Sequence, residues 1–184
     1  MTDTLSSLDI CLLRLIHHHR MVFLDPLLYL LSYISSFISI GLVLTILIIS
    51  LKQKSKPLRI IFYKMLAVFI VAATISLSLK TMISRERPFK TYPDIEKLSE
   101  AGNSSFPSGH TIEAFAMAVA FSILVRKRKL FIPLLVWACL VAYTRMALGV
   151  HYPSDILGGM VIGSLIGWLV PGLMDKIRPF RANN

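Results

Sequence analysis

The sequence predicts an all-α membrane protein: a polytopic helical bundle of five transmembrane helices, preceded by an amphipathic or short sixth helix. Of its 184 residues, 55% are hydrophobic and only 16% are charged, whereas a soluble domain carries about 25% charged residues. Several apolar runs reach the roughly 20 residues that a bilayer-spanning helix needs. Basic clusters lie at the ends of these runs, as in cytoplasmic loops of membrane proteins. At this length we expect one membrane-embedded domain, residues 1–184.

The N-terminal segment, residues 1–22, is predicted to be a helix that lies in the membrane interface, with a short first span as the alternative. Asp9, Arg14 and the triplet His17–His19 share its polar side, a distribution typical of interfacial helices. Successive helical residues point about 100° apart, so we do not expect the three histidines to share a metal ion. The opposite, apolar face is formed by Leu5, Leu8, Leu12, Leu15 and Ile16.

Five apolar runs follow, and the third of them along the chain is the least typical. This run, Thr111–Val125, is short and begins with polar residues, so we expect its helix to start near Ser108 and to cross with little tilt. The only sizeable polar segment is the loop 84–107, interpreted as a structured or mobile lid outside the cytoplasm rather than a second domain. The other four runs are Leu27–Leu51, Leu58–Leu79, Leu130–Ala147 and Ile156–Met174.

The placement of the basic residues predicts which side each loop faces. Basic clusters mark the cytoplasmic side, and five alternating spans then put loop 84–107 and segment 145–154 on the outside. A net charge of +10 could suggest nucleic-acid binding, but this placement at span ends indicates a membrane role instead. Cys11 and Cys139 are far apart and are interpreted as unpaired thiols. The three clusters are Lys52, Lys54, Lys56 and Arg59; Arg126 to Lys129; and Lys176, Arg178 and Arg181.

The first of three polar blocks at the outer ends of the spans runs from Lys80 to Arg87 and the following proline. Cations are costly beside lipid, so Lys80 and Arg87 should face protein, water or an anion, unless they merely snorkel to the interface. Arg85 and Lys90 flank the block. We interpret these two as exposed loop cations, with recognition of a second phosphate as the alternative.

The second block is Pro107-Ser108-Gly109-His110, where a loop enters a helix. Ser108 is a favourable N-cap residue, and Gly109 lets backbone N–H groups approach an oxyanion at the positive end of the helix. His110 lies in the same first turn. The block therefore predicts an anion-binding helix start with a titratable group beside it.

The third block contains Thr144, Arg145, His151 and Asp155. Asp155 follows His151 by four residues and can turn back towards the imidazole. A carboxylate that accepts the Nδ1 proton fixes the tautomer and leaves Nε2 free to attack. The three blocks together supply cations, an anion-binding helix start, two histidines and one carboxylate, which fits phosphoryl transfer. No carboxylate pair stands near the cations, so a magnesium site is not expected.

These blocks resemble the signature of the type-2 phosphatidic acid phosphatase superfamily: Lys-x6-Arg-Pro, Pro-Ser-Gly-His and Ser-Arg-x5-His-x3-Asp. They read here as 80–88, 107–110 and 144–155, with Thr144 in place of the usual serine. The resemblance implies a helical membrane enzyme without metal or cofactor. His151, oriented by Asp155, would attack phosphorus, and His110 would protonate the leaving oxygen and then activate water. The implied phosphate-binding residues are Lys80, Arg87, Ser108, Gly109 and Arg145.

The resemblance also implies a lipid substrate in a bacterial inner membrane, with the site facing the periplasm or the outside. Undecaprenyl pyrophosphate is favoured over phosphatidylglycerol phosphate, phosphatidic acid and lipid A 1-phosphate, and no protein or nucleic-acid partner is expected. A lipid phosphotransferase and a non-enzymatic lipid binder or transporter are the rival classes. Glu113, one turn below His110, could modulate the site by pairing with a site cation or acting on His110, or could simply hydrogen-bond across the bundle.

Overall fold

The structure, a computed structural model, describes residues 2–177 apart from the side chains at positions 2, 3, 5 and 128. Within that range the chain forms α-helices and no strand, which confirms the predicted all-α class. Met1 and residues 178–184, with Arg178 and Arg181 of the third basic cluster, lie outside the described residues. The helices are α1 (Thr2–His18), α2 (Asp25–Lys52), α3 (Lys56–Ile83), α4 (Pro88–Thr91), α5 (Gly109–Val125), α6 (Arg128–Ala147) and α7 (Pro153–Ile177), with a 3-10 turn at Val22–Leu24.

All five predicted spans are helices, and the helix ends differ from the predicted ends by only a few residues. Four helices in the described range are long and apolar enough to cross a membrane, while α5, with 17 residues, is shorter. Helix α5 begins at Gly109 with Ser108 in the N-cap position, close to the expected start, although the serine side chain makes no capping hydrogen bond. Proline at the first position of α7 suits a helix start, because its missing N–H would have no intrahelical partner.

Helix α5 is the centre of the bundle. Its residues contribute to one apolar core shared with α2, α3 and α7 and to a second core shared with α6 and α7. A short helix can occupy this position because its neighbours, rather than lipid, surround most of it. The long helices instead expose large apolar side chains outward, among them Phe37, Leu77, Ile132 and Leu157, as lipid-facing surfaces require.

Glycines allow α7 to approach α5 at backbone distance. A Cβ atom at Gly163 would lie 2.4 Å from the carbonyl oxygen of Ile112, and one at Gly167 would lie 2.5 Å from that of Ala116. Small residues four apart are a common solution for close helix packing in membranes. At the top of this contact the Ser108 N–H donates to the Asp155 carbonyl at 3.2 Å, so the starts of α5 and α7 lie side by side.

Three contacts fix which ends of the helices lie together. Lys64 near the start of α3 pairs with Asp175 near the end of α7, with Nζ 2.6 Å from Oδ1. Arg85, just after α3, pairs with Asp155 at the start of α7. The start of α5 packs against the end of α3, where a Cβ at Gly109 would lie 2.9 Å from the Ser76 hydroxyl. The three polar blocks therefore gather at one end of the bundle, opposite the basic clusters.

Helix α1 is amphipathic, as predicted, but part of its polar side packs against the protein. Asp9 and His17 are buried, whereas Leu8, Leu12 and Leu15 are exposed. His17 Nδ1 lies 2.8 Å from the Ala147 carbonyl oxygen, and its Nε2 accepts the backbone N–H of Glu96. Burial lowers the pKa of His17, which suits this neutral, doubly bonded imidazole. Because the leucines point away from the bundle, α1 covers the polar end with its apolar side outward.

The loop 84–107 contains α4 and is held by hydrogen bonds both within itself and to the rest of the protein. The Ser105 N–H donates to the Arg85 carbonyl at 2.8 Å, and the Leu98 N–H donates to the Leu148 carbonyl at 3.1 Å. Arg14 of α1 forms an exposed ion pair with Asp94. These contacts favour the structured alternative for this segment over the mobile one.

Candidate active site

A cavity of about 350 Å³ opens at the polar end of the bundle, between α2, α3, α5 and the segments that follow α3 and α6. Most of the predicted site residues meet there. Ser108 and Asp155 are not among the residues that line it. Those that do line it are Lys80, Arg87, Gly109, His110, Arg145 and His151, with Glu113 further along the wall.

Arg87 is 2% exposed, so it does not snorkel. Its Nε donates to the Gly102 carbonyl oxygen at 2.6 Å, and its Nη1 donates to the Val150 carbonyl oxygen at 2.7 Å. Nη1 also lies 3.2 Å from His151 Nε2. All three partners are uncharged acceptors.

Arg145 is equally buried and likewise has uncharged partners. Its Nη1 donates to the Ser32 and Ser99 hydroxyls, and its Nη2 donates to the Glu100 carbonyl oxygen. Its Nε has no hydrogen-bond partner among the described residues. A buried donor without a partner is costly, so this guanidinium has capacity for a further acceptor.

Lys80 completes a set that we call the cation triad: Lys80, Arg87 and Arg145. Its Nζ donates to the Ser104 carbonyl oxygen at 3.3 Å. Among the side chains that the structure describes, no carboxylate lies within ion-pair distance of any member of the triad. The cavity wall therefore carries three cations without an ion-pair partner among the described residues, although Glu100 and Glu113 also line it.

The contacts of His151 define its tautomer. An arginine N–H can only donate, so the neighbouring His151 Nε2 must carry the lone pair, and the ring proton belongs on Nδ1. Nδ1 lies 3.4 Å from Asp155 Oδ2, but this contact is not a well-formed hydrogen bond and Nδ1 has no other partner in the described chain. Burial lowers the pKa of His151 to about 3, despite the opposing effect of Asp155. The free imidazole is therefore neutral, with Nε2 facing the cavity.

Asp155 is completely buried and fully bonded. Its Oδ2 accepts the Tyr152 N–H at 2.9 Å and the Ser105 hydroxyl, while its Oδ1 lies 2.6 Å from Arg85 Nη1. The start of α7 and the loop 84–107 thus hold the carboxylate beside His151. The sequence predicted the proximity of His151 and Asp155 from their spacing, but not the other three donors.

His110 lies in the first turn of α5 and lines the same cavity as His151. Its ring makes no hydrogen bond to another described residue, which leaves it available to a ligand. Gly109 packs so closely against Ser76 that a side chain there would collide. The glycine therefore lets α5 approach α3 and brings the helix start to the cavity.

Two hydroxyl groups of the predicted blocks point away from the cavity. Ser108 is fully buried, and its hydroxyl accepts a hydrogen bond from the Thr111 hydroxyl at 2.9 Å. Thr144 is also fully buried, and its hydroxyl donates to the Val141 carbonyl oxygen of its own helix at 2.7 Å. A role of Ser108 in phosphate binding stays a prediction, and the threonine at 144 has a helix-internal contact.

Glu113 faces α2 rather than the cations. Its Oε2 accepts the Ser36 hydroxyl at 2.8 Å, which matches the predicted hydrogen bond across the bundle. No ion pair joins it to a described cation. It lines the cavity with His110, so a modulating role stays a prediction.

The prediction that Arg85 is an exposed loop cation is wrong, whereas Lys90 is exposed as expected. The Arg85 side chain is 29% exposed and forms ion pairs with both Asp9 and Asp155. The segment 84–87 has no regular secondary structure, and the side chains of Arg85 and Arg87 leave it in different directions, one towards carboxylates and one towards the cavity. From the sequence, Asp9 was placed only on the polar side of an interfacial helix. No local motif could indicate its contact with Arg85, which lies 76 positions further along the chain.

Comparison with known proteins matches this arrangement to one family. The family model described as the PAP2 superfamily covers residues 57–179. Undecaprenyl-diphosphatase BcrC of Bacillus subtilis is 38% identical over 51% of this chain and 48% of its own length. The lipid A 4'-phosphatase of Bacteroides thetaiotaomicron is 35% identical over 54% of this chain and 47% of its own length. The chain thus spans about half the length of these two curated relatives.

A solved structure is similar over nearly the whole chain. It is the crystal structure of a transmembrane PAP2-type phosphatidylglycerolphosphate phosphatase from Bacillus subtilis, with a TM-score of 0.80 and 27% sequence identity. The superposition covers 97% of this chain and 90% of that chain. The similarity therefore extends beyond the three polar blocks to α1 and the complete helical arrangement.

Proposed function

We propose, because this chain belongs to the PAP2 superfamily, that it is a membrane enzyme that hydrolyses a lipid phosphate or pyrophosphate. His151 is the proposed nucleophile and forms a phosphohistidine. His110 is the proposed acid in the first step and base in the second. Asp155 orients His151, and the cation triad, with the α5 start at Ser108 and Gly109, holds the phosphate.

The observation that carries this proposal is the uncompensated charge of the cation triad. Three cations around one cavity repel each other, and their uncharged partners do not neutralise them. An anion with several oxygens would relieve this repulsion and accept the unused Nε–H of Arg145. Phosphoryl transfer needs this environment, because negative charge spreads over the equatorial oxygens in its transition state.

The first chemical step transfers the phosphoryl group to the protein. The His151 Nε2 lone pair attacks phosphorus, so a P–N bond forms as the bond to the lipid oxygen breaks. Protonated His110 gives its proton to that leaving oxygen. Arg87 donates to Nε2 in the free site, and its N–H turns to a phosphate oxygen when the substrate enters, which frees the lone pair for attack.

The second step releases phosphate to water. The now neutral His110 takes a proton from a water molecule, whose oxygen attacks phosphorus and breaks the P–N bond. His151 carries positive charge while it is phosphorylated, because Nδ1 keeps its proton. Asp155, at 3.4 Å from Nδ1, stabilises that charge. Inorganic phosphate then leaves, and both histidines return to their starting states.

The proposed location follows from the two ends of the bundle. The basic clusters lie at the end opposite the cavity, and the positive-inside rule assigns that end to the cytoplasm. The site then faces the outside of a bacterial inner membrane, where a lipid can enter laterally. Undecaprenyl pyrophosphate is the favoured substrate. Phosphatidylglycerol phosphate, phosphatidic acid and lipid A 1-phosphate are the alternatives.

The test is phosphate release from these four lipids by the purified protein in detergent, with His151→Ala as the decisive variant. We expect that variant to lose at least about a thousandfold in activity. His19→Ala, which removes an exposed histidine, is the matched control and should match the wild type. Because the cation triad supplies the positive charge, a chelator of divalent metals should leave the activity unchanged.

Other outcomes would identify a different function. Transfer of labelled phosphate to a second lipid, instead of its release, would indicate a phosphotransferase. Lipid binding without any turnover would indicate a binder or transporter. Full phosphate release by His151→Ala would overturn the proposed mechanism.

A further inference from the structure

Arg85 lies at the junction between helix α1 and the proposed catalytic pair. Its Nη1 lies 2.6 Å from Asp155 Oδ1, and its Nη2 lies 2.7 Å from Asp9 Oδ2. Its guanidinium carbon also stands 4.0 Å from the centre of the Tyr152 ring. One planar guanidinium thus joins two carboxylates that are 146 positions apart in the chain. Its two Nη atoms can pair with both carboxylates at once, which a lysine ammonium would do less well.

Asp9 is built into the start of α7. Its Oδ1 accepts the Ser154 N–H at 2.8 Å, and its Oδ2 accepts the Ser154 hydroxyl as well as Arg85. A carboxylate is stabilised at the N-terminal end of a helix, where backbone N–H groups lack partners. Asp9 is only 7% exposed, so α1 supplies a buried carboxylate to the start of α7.

Arg85 is the one cation that contacts the Asp155 carboxylate within the described chain. The remaining donors to Asp155, the Ser105 hydroxyl and the Tyr152 N–H, are neutral. A buried carboxylate without a counter-charge tends to be neutralised by a proton. A neutral carboxyl group could not stabilise positive charge on His151. The ion pair with Arg85 therefore favours the ionised form of Asp155, and the contact between Arg85 Nη1 and Oδ1 helps to fix the direction of the carboxylate.

We propose that Arg85 is a positioning residue for the His151–Asp155 pair and that α1, through Asp9, is an integral part of this arrangement. The inference rests on the proposed phosphohistidine mechanism. Arg85 does not line the cavity, so it acts through Asp155 and not on the phosphate. Its removal should slow the chemical step and leave phosphate binding intact.

The experiment compares kcat, KM and inhibition by inorganic phosphate in Arg85→Gln and wild type. We expect kcat to fall about thirtyfold or more, with KM and the phosphate inhibition constant within threefold of the wild-type values. Arg85→Lys keeps the charge but can serve only one carboxylate well, so it should regain part of kcat. A kcat within threefold of wild type in Arg85→Gln would overturn the inference. A parallel loss of kcat and of phosphate binding would also overturn it, because that pattern indicates collapse of the whole site.

Asp9→Asn tests the contact between Asp9 and Arg85 from the side of α1. It provides the test of the inference if Arg85→Gln does not fold. Its matched control is Arg14→Gln, which breaks the exposed Arg14–Asp94 pair between the same helix and the same loop. We expect kcat to fall about tenfold in Asp9→Asn and to change by less than twofold in Arg14→Gln. Equal kcat values in the two variants would overturn the inference.

An inactive wild type would overturn the proposed function and this inference with it. An active wild type with an equally active Arg85→Gln would overturn this inference alone.

Discussion

The two sides of the His151 ring face opposite electrostatic environments. On the Nε2 side lies the cavity, with a cation triad whose partners are uncharged. On the Nδ1 side lies a closed network of Asp155, Arg85 and Asp9, in which each charge has an opposite neighbour. The open side has charge available for a ligand, while the closed side pairs its charges internally. Its one unbonded donor among the described residues, His151 Nδ1, faces the Asp155 carboxylate. In the proposed mechanism, phosphate binding and the orientation of His151 therefore depend on different groups, and we expect that each can be altered without the other.

Asp155→Asn should have the largest effect, and it acts on the closed side. An amide can donate to Nδ1 and so stabilise the tautomer with the proton on Nε2, which blocks attack. A comparable change in a serine protease triad lowers kcat about 10⁴-fold, so we expect a loss of about 10³- to 10⁴-fold here. Inhibition by inorganic phosphate should stay within threefold of wild type.

The control for this variant is Asp94→Asn, an equal change at an exposed carboxylate outside the network. It should keep kcat within twofold. If Asp155→Asn weakened phosphate inhibition as much as it lowered kcat, the two sides of the ring would not be separable.

Arg87→Ala acts on the open side and should have the next largest effect. It removes one charge of the cation triad and the N–H that faces Nε2. Loss of one preorganised donor to transition-state charge costs about 10²- to 10³-fold, which we expect in kcat/KM. Unlike Asp155→Asn, it should also weaken inhibition by inorganic phosphate at least about tenfold.

Lys90→Ala is the matched control for Arg87→Ala. It removes an exposed cation three residues later and should leave both quantities within twofold. An unchanged phosphate inhibition constant in Arg87→Ala would show that the triad does not bind the phosphate.

The open side was largely predictable from the sequence, whereas on the closed side only the proximity of Asp155 to His151 was. Lys80, Arg87, His110 and His151 each lie in a short block at the end of a span, so spacing and span alternation bring them together. The closed side depends on contacts between distant segments. The position of Asp9 depends on how α1 packs across the bundle. Helical periodicity separates a polar from an apolar face of α1, but it does not indicate which of them packs against the protein.

The same limit explains the error at Arg85. Arg85 and Arg87 have similar neighbours in sequence, and both follow a span. In a regular extended strand, positions 85 and 87 would face the same side. Their roles differ because the segment after α3 has no regular secondary structure, so its backbone turns the two side chains in different directions. Only the position of Asp155, fixed by the contact between α5 and α7, distinguishes the two arginines.

Gly163→Ala should affect both sides together and mainly through stability. The new methyl group would meet the Ile112 carbonyl oxygen, a backbone atom that cannot move aside easily. Overpacking of this kind costs about 1 to 3 kcal/mol, which should lower the thermal unfolding midpoint in detergent. Gly172→Ala, on the same helix with open space around it, should not lower that midpoint. Equal stability of the two variants would mean that α5 and α7 do not need their close approach.

The smallest expected effect is the response of His151 itself to acid. Its pKa, lowered by burial from 6.5 to about 3, predicts a neutral ring at pH 5.5, where an ordinary imidazole is mostly protonated. The unfolded chain binds the proton below about pH 6.5 and the folded chain does not, so this residue lowers stability as the pH falls towards 3. Nitrogen-15 spectra of histidine-labelled protein, assigned with His151→Ala, should show a neutral ring with its proton on Nδ1 at both pH 7 and pH 5.5. A ring protonated on both nitrogens at pH 5.5 would contradict the geometry, because Arg87 Nη1 would then face a second donor instead of a lone pair.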